Sequence, residues 1–179
     1  IFLRSRLYHL HNANLRKSYM KAPDFLQVSG DILLSAFRPE DKPDLLHWLQ
    51  DETVHRLTAT LPYPYTQKDA DEWIELTHQM EERYPCRPNW AIRIPTGRLI
   101  GGIGRVMNKG EANHWDEIGY WLAAPYRGRG IMTEVVRAFC QHWFETSPLV
   151  RIEANVYEIN PASARVLEKA GFRLEGRLL

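Results

Sequence analysis

A glycine- and arginine-rich segment between a strand and a helix is the feature that most limits how this chain folds. Tyr126–Thr133 reads YRGRGIMT, follows the apolar run Ile118–Ala124 and precedes the helical pattern of Glu134–Glu145. Free backbone N–H groups and the helix dipole make such a junction favourable for an anion, and glycine lets the backbone approach a ligand closely. The segment therefore predicts a phosphate-binding turn, although a tight structural turn explains the same residues.

The order of predicted elements indicates an α+β domain with a mixed sheet between helices. Apolar spacing, turn residues and helix-end signals separate the elements, which follow in the order β-α-α-β-β-β-α-β-α-β. We predict strands over 32–37, 90–94, 99–107, 115–123, 150–157 and 172–178, and helices over 43–50, 66–83, 134–145 and 160–171. Thr66, followed by Asp69, and Asn160 are the expected N-terminal caps of the second and the fourth of these helices.

Residues 1–29 differ from the rest of the chain. They carry five basic residues and one acidic residue, which leaves a net charge of +4, and their apolar periodicity is poor. We therefore expect a basic N-terminal extension before a regular domain over 30–179. It is either a solvated extension or a tail that contacts the ribosome or nucleic acid.

Composition narrows the classes of function. The net charge of +1 gives no general attraction to nucleic acid or membranes. The chain has no apolar run near 18 residues, so we predict no membrane span. Cys86 and Cys140 lie far apart without metal-ligand spacing. We expect unpaired thiols in a cytoplasmic protein that binds no metal.

Three segments, Glu117–Leu122, Pro125–Gly130 and Asn160–Phe172, occur in an order that resembles the GNAT superfamily of N-acetyltransferases. Within that superfamily they are most similar to the RimJ/RimL-like branch, which acetylates ribosomal-protein N-termini. The resemblance covers roughly 31–178 and implies a mostly antiparallel α/β/α sheet with a V-shaped splay beside the cofactor. It further implies direct transfer from acetyl-CoA to a primary amine in a ternary complex, with no metal.

The resemblance also implies which residues hold the cofactor. Arg127–Met132 matches the loop that cradles the pyrophosphate, and Trp121–Ala123 matches the strand end whose backbone pairs with the pantetheine arm. Asn160 matches an asparagine that bonds this arm, and Ser163 lies one turn further along. The implied set is Trp121, Leu122, Ala123, Arg127, Gly128, Arg129, Gly130, Ile131, Met132, Thr133, Asn160 and Ser163.

Three departures from the family pattern matter. Met132 stands where the loop usually has glycine or alanine, so we expect a bulkier wall at the site with binding retained. Leu167 stands where many members place a tyrosine that protonates the leaving thiolate. The strand that would pair with the Phe172 strand is expected to be missing, unless the edge is completed otherwise, and this open edge leaves room for a homodimer.

Glu117 is the preferred catalytic base, because its distance from Ala123 matches the spacing of the catalytic glutamate in histone-acetylating members. A structural carboxylate is an equal interpretation. Glu153 is an alternative base, although a surface ion pair with an arginine suits it better. Asp116 should face away from Glu117 and ranks lower.

The sequence does not identify the acceptor of the acetyl group. A small-molecule amine and a protein N-terminus both remain open, and Leu61–Tyr65 is either an acceptor-binding loop or a rigid connector. Because the usual tyrosine acid is absent, a non-catalytic acyl-CoA-binding module is the alternative function.

Overall fold

The computed structural model describes residues 2–5, 19–58, 60–84, 86–107 and 114–177. Over these ranges the chain forms a sheet of eight strands with helices on both faces. The strands are β1 (Phe2–Ser5), β2 (Phe25–Ser29), β3 (Ile32–Ser35), β4 (Asn89–Arg93), β5 (Leu99–Arg105), β6 (Trp115–Leu122), β7 (Arg151–Asn155) and β8 (Arg173–Gly176). The helices are α1 (Lys42–Trp48), α2 (Glu52–Leu57), α3 (Gln67–Arg83), α4 (Ile131–Thr146) and α5 (Pro161–Lys169), with short 3-10 turns at Pro39–Asp41 and Ala124–Tyr126.

The sheet has the order β2-β3-β4-β5-β6-β7-β1-β8, and every neighbouring pair is antiparallel except β6 and β7. β6 pairs with β5 over Ile118–Leu122 but with β7 only over Trp115–Glu117. Beyond Glu117 the two parallel strands therefore separate. The mixed, mostly antiparallel sheet between helices that we predicted is confirmed, and the register locates its splay.

Two hydrophobic clusters cover the two faces of the sheet. On one face α4 buries Val135, Phe139 and Trp143 in a cluster that also contains Leu167 of α5. On the other face Leu45 of α1 and Ile74 of α3 pack in a second cluster. Each buried side chain of this size contributes about 1.5–3 kcal/mol relative to exposure. Apolar burial on both faces holds the central strands in place.

A buried ion pair ties the start of α1 to β4. Arg93 donates from Nη1 and Nη2 to the two carboxylate oxygens of Asp41, at 2.6 and 2.7 Å. Its Nε donates to Ser35 Oγ at 2.7 Å, and its remaining N–H groups reach the carbonyls of Ala36 and Gly97. A charge as buried as this one is tolerated because each donor is satisfied.

Regular structure begins earlier than residue 30, where we expected the regular domain to start. β1 and β2 both lie within residues 1–29, and they belong to the same sheet as the later strands. β1 pairs with β7 on one side and β8 on the other, so β8 has a strand partner after all. Backbone hydrogen bonds hold these short strands in the sheet. Their sequences therefore show little of the apolar periodicity from which a strand is predicted. Residues 6–18 of the expected extension lie outside the described residues.

Three further details correct or support the sequence-based boundaries. α2 is a helix that we did not predict, and α4 begins at Ile131 rather than at residue 134. Thr66 and Asp69 form the N-terminal capping box of α3, as expected. Cys86 and Cys140 are buried and are not joined by a disulfide bond. Within the described ranges, no helix has the length and apolar character that crossing a bilayer requires.

Asp41→Asn should lower the free energy of unfolding by about 3–5 kcal/mol, because it leaves the buried Arg93 charge uncompensated. Urea denaturation measures this change. Asp71→Asn is the control: its pair with Lys42 is far more exposed, so the loss there should stay within about 1 kcal/mol. Equal effects of the two substitutions would contradict a structural role for the buried pair.

Candidate active site

The gap between β6 and β7 exposes backbone groups at the end of β6. Ala123 donates its N–H to the Ile100 carbonyl of β5 at 2.9 Å. Because successive residues of a strand direct their backbone groups to alternate neighbours, those of Tyr120 and Leu122 face the gap. Of the predicted segment Trp121–Ala123, Leu122 alone therefore presents its backbone to a ligand there. Tyr120, which the sequence analysis missed, presents its own.

The turn after β6 presents a row of unused donors. Gly128 and Gly130 have φ angles of 75° and 81°, and a Cβ on either would meet nothing within 4 Å. Within the described part of the chain, the N–H groups of residues 128–132 donate to no acceptor. These donors, at the start of α4, suit the oxygens of a pyrophosphate. The residues present therefore fit the anionic part of CoA.

The first turn of α4 changes the roles expected for two residues. The Thr133 N–H donates to the Gly130 carbonyl at 3.0 Å, so it is not available to a ligand. The Met132 side chain is buried in the cluster under α4. The expected bulkier wall at Met132 is therefore wrong. Because α4 starts at Ile131, the Met132 side chain falls on the buried face of the helix and only its backbone faces the turn.

The two arginines of the turn have different surroundings. Arg127 donates from Nε to the Leu122 carbonyl at 2.8 Å and from Nη2 to Asp51 Oδ2 at 2.9 Å. Arg129 is exposed, and its guanidinium lies 5.7 Å from the Tyr126 ring centre. Within the described ranges Arg129 makes no ion pair. Of the two arginines, Arg129 is therefore the one whose charge is available to a ligand beside the turn.

Asn160 and Ser163 lie at the start of α5. Asn160 Oδ1 accepts the Ser163 N–H at 3.1 Å, so Asn160 caps the helix as predicted. Its Nδ2 finds no acceptor among the residues that the structure covers and remains a donor. Ser163 Oγ lies 2.7 Å from the Tyr120 hydroxyl, which links β6 to α5. Leu167, one turn further on, is fully buried.

The Tyr120 hydroxyl stays protonated at neutral pH. Burial raises the pKa of Tyr120 to about 12, although the hydrogen bond with Ser163 lowers it slightly. Sequence reasoning missed this residue because a tyrosine inside an apolar strand is usually a core residue. Strand alternation could have identified it, because Tyr120 lies on the strand face that packs against α4 and α5, together with Ile118 and Leu122.

The three candidate carboxylates have distinct environments. Asp116 is buried and accepts from Arg105 Nε at 2.6 Å, which excludes it as a base in the gap. Glu153 is buried, with an ion pair to Arg151 at 2.5 Å. The predicted ion pair is confirmed, but it is not on the surface.

Of the three candidate carboxylates, Glu117 interacts least with other described residues. It is half-buried and stands opposite Glu153 in the register of β6 and β7. Its carboxylate forms no hydrogen bond or ion pair with any residue in the described ranges. It lies on the sheet face opposite Asp116, as predicted from strand alternation. No group of three or more His, Cys, Asp or Glu residues in the described ranges could hold a metal ion.

Comparison with known proteins identifies similar sequences and folds. The family model described as "Acetyltransferase (GNAT) domain" matches residues 31–173. "Probable N-acetyltransferase YjcK" of Bacillus subtilis is 46% identical over 79 residues, which is 44% of each chain. "Ribosomal-protein-serine acetyltransferase" of Escherichia coli is 37% identical over 81 residues, which is 45% of this chain and 44% of that protein. Both matches thus span less than half of the relative.

The solved structure titled RimL, a ribosomal L7/L12 alpha-N-protein acetyltransferase in complex with coenzyme A, has a similar fold. It superimposes with a TM-score of 0.74 at 20% identity, and the match covers 85% of both chains. Similarity to ribosomal-protein acetyltransferases, which three sequence segments indicated, is confirmed.

Gly130→Ala should weaken CoA binding by ~10-fold, or about 1.4 kcal/mol. Its Cβ would enter the open space beside the free N–H groups, and a positive φ disfavours any side chain. Isothermal titration with CoA measures the change. Gly171→Ala is the control, since Gly171 has a φ of 99° and equal space around it but ends α5. An equal loss in both variants would contradict a specific role for Gly130.

Proposed function

The chain belongs to the GNAT acetyltransferase domain family, and on that basis we propose that it transfers an acetyl group from acetyl-CoA directly to a primary amine. The observation that carries the proposal is the gap between β6 and β7, which opens beside the unused N–H groups of residues 128–132. One end of this arrangement suits a pyrophosphate, and the other suits an amide-containing arm. CoA has both parts.

Each part of the cofactor has proposed partners in this chain. The N–H groups of residues 128–132 hold the pyrophosphate, and exposed Arg129 adds positive charge. The backbone groups of Tyr120 and the N–H of Leu122 bond the pantetheine arm, and Asn160 Nδ2 donates to it. Acetyl-CoA supplies the thioester carbonyl. We propose that a backbone N–H of β6 facing the gap stabilises the negative charge that develops on this carbonyl oxygen.

Glu117 is the proposed base. An amine attacks only when it is neutral, so its proton must be removed at neutral pH. The new C–N bond forms as the C–S bond breaks, Glu117 accepts the amine proton, and the thiolate leaves. The unpartnered, half-buried Glu117 carboxylate suits this role better than Glu153, which Arg151 already neutralises.

The α-amino group of a protein or peptide is the proposed acceptor class. Its support is that two similar proteins are named for ribosomal proteins. The acceptor loop proposed from sequence, Leu61–Tyr65, lies against α2: His55 Nδ1 is 2.6 Å from the Leu61 carbonyl, and the Tyr63 ring stacks on His55 at 5.5 Å. Tyr63 remains 48% exposed and could contact an acceptor.

Isothermal titration of the protein with CoA, followed by an acetyl-transfer assay, tests the proposed function. We expect CoA to bind and short peptides with a free N-terminus to be acetylated, with matching N-formyl peptides as controls. No binding at high micromolar CoA would contradict the proposal. Binding without transfer to any peptide or small amine would favour an acyl-CoA-binding module instead.

Glu117→Gln should lower kcat by about 10²–10⁴ at neutral pH, because it removes the proton acceptor. CoA affinity and the thermal midpoint should change little, since the Glu117 carboxylate holds no other described residue. Glu153→Gln, measured beside it, tests the alternative base. If Glu117→Gln keeps full turnover, Glu117 is not the base, and a folded but inactive Glu153→Gln would assign that role to Glu153.

A further inference from the structure

Asp51 uses its two carboxylate oxygens for two different partners. Oδ1 accepts the Thr53 N–H at 2.9 Å and so caps α2, while Oδ2 accepts Arg127 Nη2 at 2.9 Å. Burial raises the pKa of Asp51, but hydrogen bonds from Thr53 and Arg127 outweigh this and hold it below its usual value. A single charged side chain therefore joins the start of α2 to the turn after β6.

Arg127 extends this connection to the gap. Its Nε donates to the Leu122 carbonyl, the last residue of β6, whose backbone faces the gap. The same guanidinium thus holds both Asp51 and the strand end. These two bonds hold the Arg127 guanidinium to Leu122 and Asp51.

A second contact joins the same two regions. The Trp48 ring at the end of α1 packs edge-on against Tyr126, with ring centres 6.1 Å apart. Trp48 Nε1 donates to the Leu99 carbonyl of β5 at 2.9 Å, which fixes the indole on the sheet. Residues on both sides of the α1–α2 junction therefore hold the turn after β6.

We propose that Asp51 is a positioning residue for CoA, which acts through Arg127 to hold the end of β6 and the following turn in the conformation that binds the cofactor. The inference rests on the proposed function. In this proposal the Arg127 side chain makes contacts within the protein, and the Arg129 side chain contacts the phosphate groups of CoA. Since α2 also contacts the Leu61–Tyr65 loop through His55, the connection links the cofactor turn to the proposed acceptor side.

Asp51→Asn tests the proposal. Asparagine caps helices as well as aspartate does, so α2 should persist, while the charge-assisted bond to Arg127 is lost. We expect the Kd for CoA to rise about three- to tenfold, a modest range because the pair is partly exposed. Isothermal titration gives the Kd, and thermal unfolding reports the fold.

A double-mutant cycle with Arg127→Gln separates positioning from a general structural role. Asp51→Asn should weaken CoA binding in the wild-type background and add no further loss once Arg127 is replaced. Thr66→Ala is the control: it removes the cap of α3, a helix that contributes no residue to the Asp51–Arg127 connection, and should lower stability without changing the Kd.

The outcomes are distinguishable. If Asp51→Asn binds CoA as tightly as the wild type, Asp51 does not position the turn. If it binds CoA more tightly, Arg127 is a phosphate ligand that Asp51 restrains. Either result overturns the proposal. An equal loss in the Arg127→Gln background would also overturn it, because the effect would not pass through Arg127. If the wild-type protein itself binds no CoA, the proposed function fails first and the inference falls with it.

Discussion

The arrangement of the site depends on how β6 divides its hydrogen bonds between two neighbours. It pairs with β5 over its second half and with β7 over its first three residues only. The parallel pair is the only one in the described sheet, and it ends where the apolar half of β6 begins. The unpaired edge that results would be costly if it were buried, because backbone donors and acceptors need partners. Facing an open gap, the same groups remain available to the proposed cofactor.

Ion pairs of arginine lie within and beside this open sheet. Arg93 with Asp41, Arg105 with Asp116 and Arg151 with Glu153 each pair at 2.5–2.6 Å within or beside the sheet. Such pairs gain little net stability after desolvation, but each one fixes side chains in one geometry. They also separate the carboxylates by role. Asp116 and Glu153 are held by arginines, whereas the Glu117 carboxylate has no ion pair with the described residues.

The sequence predicted the strand-to-helix turn, the cap of α5 and the helical layers because these features are local. Gly130 and Asn160 act within a few residues of their own position, and periodicity needs only one segment. The sequence could not show that Arg127 would turn back to Asp51, 76 residues away. It also could not show that a short strand such as β1 finds two partners, since backbone pairing leaves no side-chain pattern in four residues. α2 was predictable in part, because Asp51 is a good cap, but six residues carry weak periodicity.

The position of β1 has a consequence for the order in which the protein is assembled. Phe2–Ser5 leaves the ribosome before the other described strands, yet its neighbours are the last two of them, Arg151–Asn155 and Arg173–Gly176. The next strand, Phe25–Ser29, lies at the opposite edge of the sheet. Long-range pairing of this kind is slow, because the ends of a long loop must meet, at a cost in entropy, before the contact contributes any stability. During synthesis, then, β1 remains unpaired until both of its neighbours have been made, and β7 and β8 come together across β1 only after residue 176 has left the ribosome.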